Sequence, residues 1–173
     1  MNTKIAVRWA VRGFLIALIL WWMIIIFGFS AADGVESSSF SDEITMKVVC
    51  IIEPEYNSFS MDKQNVIFNK VSFVVRKTGH FGEYGILAVL WSLFLLSFER
   101  IRNMKKYLIV LIPTVICLIY AATDELHQGF VDGRSPKVMD VIIDTIGGLA
   151  GAGVIIVLWI IFRRKNERVG KEH

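Results

Sequence analysis

Cysteine is scarce in this chain, with Cys50 and Cys117 as the only two among 173 residues. One lies in a polar segment and the other in a long apolar run, so we predict neither a disulfide framework nor a bridge between them. The sequence shows no internal repeat, no low-complexity tract and no second domain. No serine or cysteine stands in a position typical of a catalytic nucleophile. We therefore predict one domain over residues 1–173, whose chemistry comes from other side chains.

Apolar residues make up 54% of the chain, and the mean hydropathy of +0.55 exceeds what a soluble domain of this length needs. A transmembrane helix requires about 20 mainly apolar residues to cross a hydrocarbon core of about 30 Å. Four segments meet this requirement: residues 11–29, 81–98, 107–126 and 138–162. The sequence therefore predicts an all-α, polytopic membrane helix bundle with four transmembrane helices.

The first of these segments also has features of a secretory signal, since Lys4 and Arg8 precede it, Arg12 stands at its start and Ser30 follows it. Its apolar stretch is longer than the about 7 to 15 residues of a signal core. We therefore expect it to be retained as an anchor.

Lysine and arginine are unevenly distributed among the connections, and such residues favour the cytoplasmic side. They are concentrated in residues 1–12, 99–106 and 163–173. The third connection has only Arg134 and Lys137, against Asp124, Glu125 and Asp132, and the long connection over 30–80 has five basic residues against seven acidic ones. We expect a multi-pass protein of the cell membrane with both termini cytoplasmic and these two connections external.

The long first connection predicts two helical segments. One should begin near Ser37 and end at Glu53 and Pro54. The second places Ile67 and Val71 at helical spacing and predicts an amphipathic helix on the outer surface or leading into the second span. A small soluble cap with its own core is the alternative.

Ionisable residues are costly at membrane depth, so those that flank the apolar runs mark the candidate functional site. Helical spacing places residues 77–84 and 124–128 as polar faces at the outer ends of the second and third spans. The candidate ligand-binding residues are Lys77, His80, Glu83, Tyr84, Asp124, Glu125, His127, Gln128, Arg134, Asp140 and Asp144.

The fourth span predicts how these faces come together. Asp140 and Asp144 lie one turn apart at its outer start, and Gly147 and Gly151 continue the same face inward. Small residues allow close helix approach, so this face should point into the bundle and make an intramolecular contact rather than a dimer. The motifs should then converge on one external or outer-leaflet pocket, with Arg134 over its mouth.

Four segments resemble the VanZ-like family: FSA at 29–31, RKTGHFGEYGIL at 76–87, TDELHQGFVDGR at 123–134 and DVIIDTIGGLAG at 140–151. The resemblance covers most of the chain and implies an integral membrane protein. The family is named for a membrane protein that lowers susceptibility to the glycopeptide teicoplanin. The family often has Asn where this chain has Asp144, and Pro where it has Asp132.

Three functions are compatible with the site. The first is binding of an outer-leaflet ligand, either a lipid-linked cell-wall precursor or a glycopeptide, which the association with teicoplanin favours. Under this hypothesis membrane lipid is a partner, and lowered susceptibility to teicoplanin is the expected phenotype. No nucleic-acid partner is expected.

The second hypothesis is an intramembrane hydrolase or transferase that acts on a lipid-linked substrate. Its catalytic candidates are His80, Glu83, Asp124, Glu125 and His127. Imidazole and carboxylate groups on facing helices can hold a divalent metal, for which the candidate ligands are His80, Glu83, Asp124 and His127. Alternatively, a metal-free pair of histidine and carboxylate serves as base and acid.

The third hypothesis is a purely structural polar network. Polar groups inside a membrane must be hydrogen-bonded within the protein, and such bonds would hold the helices together.

Overall fold

The computed structural model describes residues 3–31, 34–131 and 136–169, and helices dominate that part of the chain. In chain order they are α1 (Thr3–Ala31), α2 (Gly34–Ile52), α3 (Met61–Leu96), α4 (Glu99–Arg102), α5 (Lys106–Gln128) and α6 (Val138–Val169). Among the described residues no strand occurs. Helices α1, α3, α5 and α6 are long and apolar enough to cross a membrane. The prediction of an all-α protein with four transmembrane helices is confirmed.

The second span differs most from its predicted bounds, although α1 also begins eight residues before residue 11 and α6 ends seven residues after residue 162. Helix α3 begins at Met61, twenty residues before the predicted start at residue 81, and ends at Leu96. Polar residues such as Lys70 and Arg76 interrupt the apolar run but not the backbone hydrogen bonds of the helix. At about 1.5 Å per residue α3 is about 54 Å long, so it exceeds a hydrocarbon core of about 30 Å. The amphipathic segment of the first connection is thus the first half of α3 and leads into the span.

Helix α2 packs against this first half of α3. It begins at Gly34, earlier than the predicted start near Ser37, and it ends at Ile52, two residues before Pro54, as predicted. Thr45 and Val49 are buried at the contact, as is Ser72 on α3. This small core explains why the connection is ordered as a helical hairpin.

The bundle has two chemically different ends. We call the end where α5 finishes and α6 begins the site end, and the end where α5 begins and α6 finishes the basic end. At the basic end Arg12 of α1 donates to the side-chain and main-chain oxygens of Ser97, at 3.1 and 3.0 Å. Between the ends the spans bury a core that includes Ile19, Ile26, Leu87 and Ala152.

Helices α3 and α6 approach most closely because α6 carries glycine on the facing side. A Cβ atom on Gly147 would collide with the carbonyl oxygen of Phe81, and one on Gly151 would collide with that of Gly85. The backbones are therefore in direct contact, which only glycine permits. The prediction that the glycine face makes an intramolecular contact is confirmed.

Candidate functional site

Three helices bring polar side chains together at the site end. Helix α3 carries them near its middle, α5 in its last two turns, and α6 in its first two turns. We call this group the polar site, and its members are Lys77, His80, Glu83, Tyr84, Asp124, Glu125, Gln128, Asp140 and Asp144. All of them were candidates on the sequence alone.

An ion pair joins α3 to α6 at the edge of the polar site. The ammonium group of Lys77 contacts a carboxylate oxygen of Asp140, and the two side chains are 18% and 10% exposed. Because both partners are largely removed from solvent, the charge of each is neutralised mainly by the other. The pair therefore links the two helices one turn from Phe81 on α3 and two turns from Gly147 on α6.

A second contact between the same helices involves His80. Its Nδ1 atom lies 3.4 Å from Oδ1 of Asp144, within ion-pair distance but outside hydrogen-bonding geometry. The Asp144 side chain is 3% exposed, and that of His80 is 25% exposed. The prediction that His80 lies near a carboxylate of another span is confirmed.

Two further contacts involve the carboxylates of α5. Glu125 accepts a hydrogen bond from the backbone N–H of Lys137, directly before the first residue of α6. The first N–H groups of a helix lack partners within it, so Glu125 satisfies one of them across the connection. Asp124 accepts a bond of 3.3 Å from the amide of Gln128, one turn further along α5.

Several buried polar atoms of the site have no hydrogen-bond partner among the described residues. They are the hydroxyl of Tyr84, Oδ1 of Asp124, and the two atoms Nδ1 of His80 and Oδ1 of Asp144, which face each other at 3.4 Å. Tyr84 is fully buried, and its hydroxyl is within electrostatic range of both aspartates. Buried polar groups in proteins are nearly always paired, so a group of unpaired ones at one place requires an explanation.

Helix α1 closes the site from the side. The indole N–H of Trp22 donates to the main-chain oxygen of Glu83 at 2.9 Å, and the hydroxyl of Tyr120 donates to that of Met23 at 2.8 Å. Ser30, near the end of α1, is buried beside Asp124 and was not among the candidates. A polar residue in the FSA segment at the end of an apolar run was the sequence signal for it.

His127 makes a different contact from the one predicted. Its ring stacks on Phe27 of α1, with centroids 4.6 Å apart, and the described residues give it no carboxylate partner. Position 127 is rotated by about 60° from position 124 around the helix, which turns it towards α1. The expectation that His127 joins His80 beside a carboxylate of another span is not met.

Two other expectations concern Arg134 and the metal. Arg134 lies outside the described residues, as does Asp132. Among the residues that the structure describes, no three His, Cys, Asp or Glu side chains converge in a way that could hold a metal ion. With His127 turned towards Phe27, the candidate ligand set does not fit a divalent metal.

These observations define a polytopic helical membrane protein with a buried, incompletely hydrogen-bonded polar site at one end of its bundle. The family model for VanZ/LLP1 matches residues 14–162, and the chain belongs to the VanZ/LLP1 family. This match includes every residue of the polar site and confirms the resemblance found in the sequence. Comparison with curated proteins and with solved structures gives no match.

Proposed function

We propose that this protein binds a lipid-linked or glycopeptide-related ligand of the cell envelope at the polar site, and thereby lowers susceptibility to teicoplanin. The observation that carries the proposal is that the buried hydroxyl of Tyr84 and Oδ1 of Asp124 have no hydrogen-bond or ion-pair partner among the described residues. A purely structural network would be expected to satisfy its own members, because an unpaired group is costlier in a membrane than in water.

The chemistry of these atoms indicates the kind of ligand. Carboxylate oxygens accept hydrogen bonds, and the tyrosine hydroxyl both accepts and donates. A ligand rich in hydroxyl and amine donors would satisfy them, and both lipid-linked saccharides and glycopeptides are of this kind. His80 and Glu83 are partly exposed whereas Asp124 and Asp144 are buried, so the first two are the more accessible to a ligand. Arg134 is the proposed contact for a phosphate or carboxylate of the ligand, since its planar guanidinium can form two hydrogen bonds with either group.

Binding can be measured in lipid nanodiscs with two probes, teicoplanin and a polyprenyl-pyrophosphate-linked disaccharide peptide. We expect one of them to bind, and we expect Tyr84→Phe and Glu83→Gln each to weaken binding about tenfold, as expected for a lost hydrogen bond to the ligand. Lys47→Gln is the matched control, because Lys47 lies exposed on α2 in a pair with Glu43. Failure of both probes to bind wild-type protein would reject the proposal for both ligand classes.

The contact between His80 and Asp144 favours a second candidate function, a hydrolase or transferase for the same lipid-linked class. A histidine beside a buried carboxylate is the arrangement of a general base whose ring is oriented by its partner. Mass spectrometry of the probe after incubation separates the two functions. An enzyme would convert the probe, and His80→Gln would bind it without conversion. An unchanged probe with wild-type protein would exclude this reaction.

A further inference from the structure

A cavity of about 320 Å³ lies at the basic end of the bundle, and the polar site lies at the other end. Its lining consists of Lys106 in the first turn of α5 and of Trp159, Ile160, Arg163 and Arg164 near the end of α6. Three of these five side chains carry a positive charge, and none carries a negative one. Lys106 and Arg164, which have no acidic partner among the described residues, give the cavity the charge to receive an anion.

The position of the cavity along α6 places it at a membrane surface. Arg163 is 19 residues beyond Asp144, which corresponds to about 29 Å of helix and matches a hydrocarbon core of about 30 Å. If Asp144 lies at one boundary of the membrane, Arg163 lies at the other. Trp159 stands one turn before Arg163, at the depth where tryptophan is enriched in membrane proteins.

The lining has an apolar part towards the hydrocarbon core and a cationic part beyond it, which matches the acyl chains and the phosphate of a phospholipid. Trp159 and Ile160 are half-buried on the side of the hydrocarbon core, and the guanidinium of Arg163 lies 5.5 Å from the centre of the Trp159 ring. Lys106 and Arg164 are exposed beyond them, and neither is paired with a described acidic side chain. The guanidinium of Arg164 can bind a phosphate through two hydrogen bonds. The indole ring of Trp159 can cover the glycerol and the first acyl carbons of the lipid.

We propose that this cavity is a binding site for the phosphate headgroup of an anionic phospholipid from the leaflet at the basic end. Basic pockets between transmembrane helices are suited to such headgroups. The apolar part of the lining is what favours a lipid over free phosphate, which would need only the cations. This site is independent of the polar site and of the function proposed for it.

The proposal is tested by thermal unfolding of the delipidated protein in detergent, titrated with dioctanoyl phosphatidylglycerol or with zwitterionic dioctanoyl phosphatidylcholine. A ligand that binds only the folded state raises the free energy of unfolding by RT ln(1 + L/Kd), where L is the free lipid concentration, so a fit of Tm against lipid concentration gives the half-saturating concentration. We expect stabilisation by the anionic lipid at concentrations where the zwitterionic one has no effect. Lys106→Gln and Arg164→Gln should each raise the half-saturating concentration about fivefold, the effect expected for one cation.

Lys105→Gln is the matched control, because Lys105 is the exposed neighbour of Lys106 and does not line the cavity. It should shift the half-saturating concentration less than twofold. An equal shift from Lys105→Gln would mean that only the general charge of this end attracts the lipid, and would overturn the site. Equal stabilisation by inorganic phosphate or glycerol 1-phosphate would identify a soluble phosphate as the ligand and would overturn the lipid.

Discussion

Tyr84 is the residue at which a ligand site and a structural network make opposite predictions. Its hydroxyl is fully buried and has no hydrogen-bond partner among the described residues. Replacement by Phe removes the oxygen without leaving a described partner unsatisfied. We expect Tyr84→Phe to change the free energy of unfolding by less than about 0.5 kcal/mol while it weakens ligand binding.

The stability half of this prediction can be measured by unfolding in mixed micelles of sodium dodecyl sulfate, followed by far-UV circular dichroism. A loss of about 1 kcal/mol or more would show that the Tyr84 hydroxyl is bonded within the protein. In that case Tyr84 would stabilise the fold, and the polar site would be a structural network around this residue.

The ion pair between Lys77 and Asp140 should, by contrast, stabilise the bundle. Lys77→Met leaves Asp140 buried without its cation, and we expect a loss on the order of 2 kcal/mol in the free energy of unfolding. Asp140→Asn added to Lys77→Met should recover most of that loss, because the second substitution removes the stranded charge. The measurement is a double-mutant cycle in the same micelles. If the two losses simply add, the contact is not an energetic pair.

The residues also show how far the sequence alone could locate the site. Positions such as His80 and Asp144 could be predicted because an ionisable residue beside an apolar run is rare and a helical face can be read from spacing. His127 has the same signature, yet its ring packs on Phe27 of α1. Spacing within α5 cannot show which helix faces each position. Ser30 was missed because a single serine at the end of an apolar run is common.

The contact between helices α3 and α6 depends on the absence of a side chain at Gly147. A methyl group there would collide with the carbonyl oxygen of Phe81 and would lie 3.0 Å from its carbon. Gly147→Ala should therefore force the helices apart and lower the free energy of unfolding by about 1 to 3 kcal/mol.

Gly153 offers a control on the same helix. A Cβ atom at Gly153 would meet no atom within 4 Å, so Gly153→Ala should leave stability unchanged or raise it by up to about 1 kcal/mol through helix propensity. Both variants can be compared in the micelle assay. Equal effects at the two positions would show that the glycine contact does not hold α3 against α6.

The elements differ in how well the sequence defined them. Unbroken apolar runs gave both ends of α5 closely and also the start of α6, which continues seven residues beyond the predicted end at residue 162. In α3 the apolar run marks only the part suited to the hydrocarbon core, whereas the helix continues through Lys70 and Arg76 into the hairpin with α2. Hydropathy reports the surroundings of a residue, and backbone hydrogen bonds can continue where those surroundings change.

At the scale of the whole molecule, the proposal requires the site end to face the outside of the cell. Cysteine residues introduced singly into a protein without Cys50 and Cys117 can test this orientation in intact cells with a membrane-impermeant maleimide. We expect labelling of Ser37→Cys and Asp132→Cys, and no labelling of Met104→Cys or Arg168→Cys, because basic connections favour the cytoplasm. The reverse pattern would place the polar site inside the cell and exclude an outer-leaflet ligand.

Occupancy of the polar site can be measured without a choice of probe by native mass spectrometry of the protein released from a mild detergent. We predict that wild-type protein carries a co-purifying lipid-linked or glycopeptide-related species. Tyr84→Phe should lose most of this species, and Gly153→Ala should keep it. If wild type and Tyr84→Phe carry the same bound masses at the same occupancy, the unpaired hydroxyl has no part in holding a ligand. That result would contradict ligand binding at the polar site.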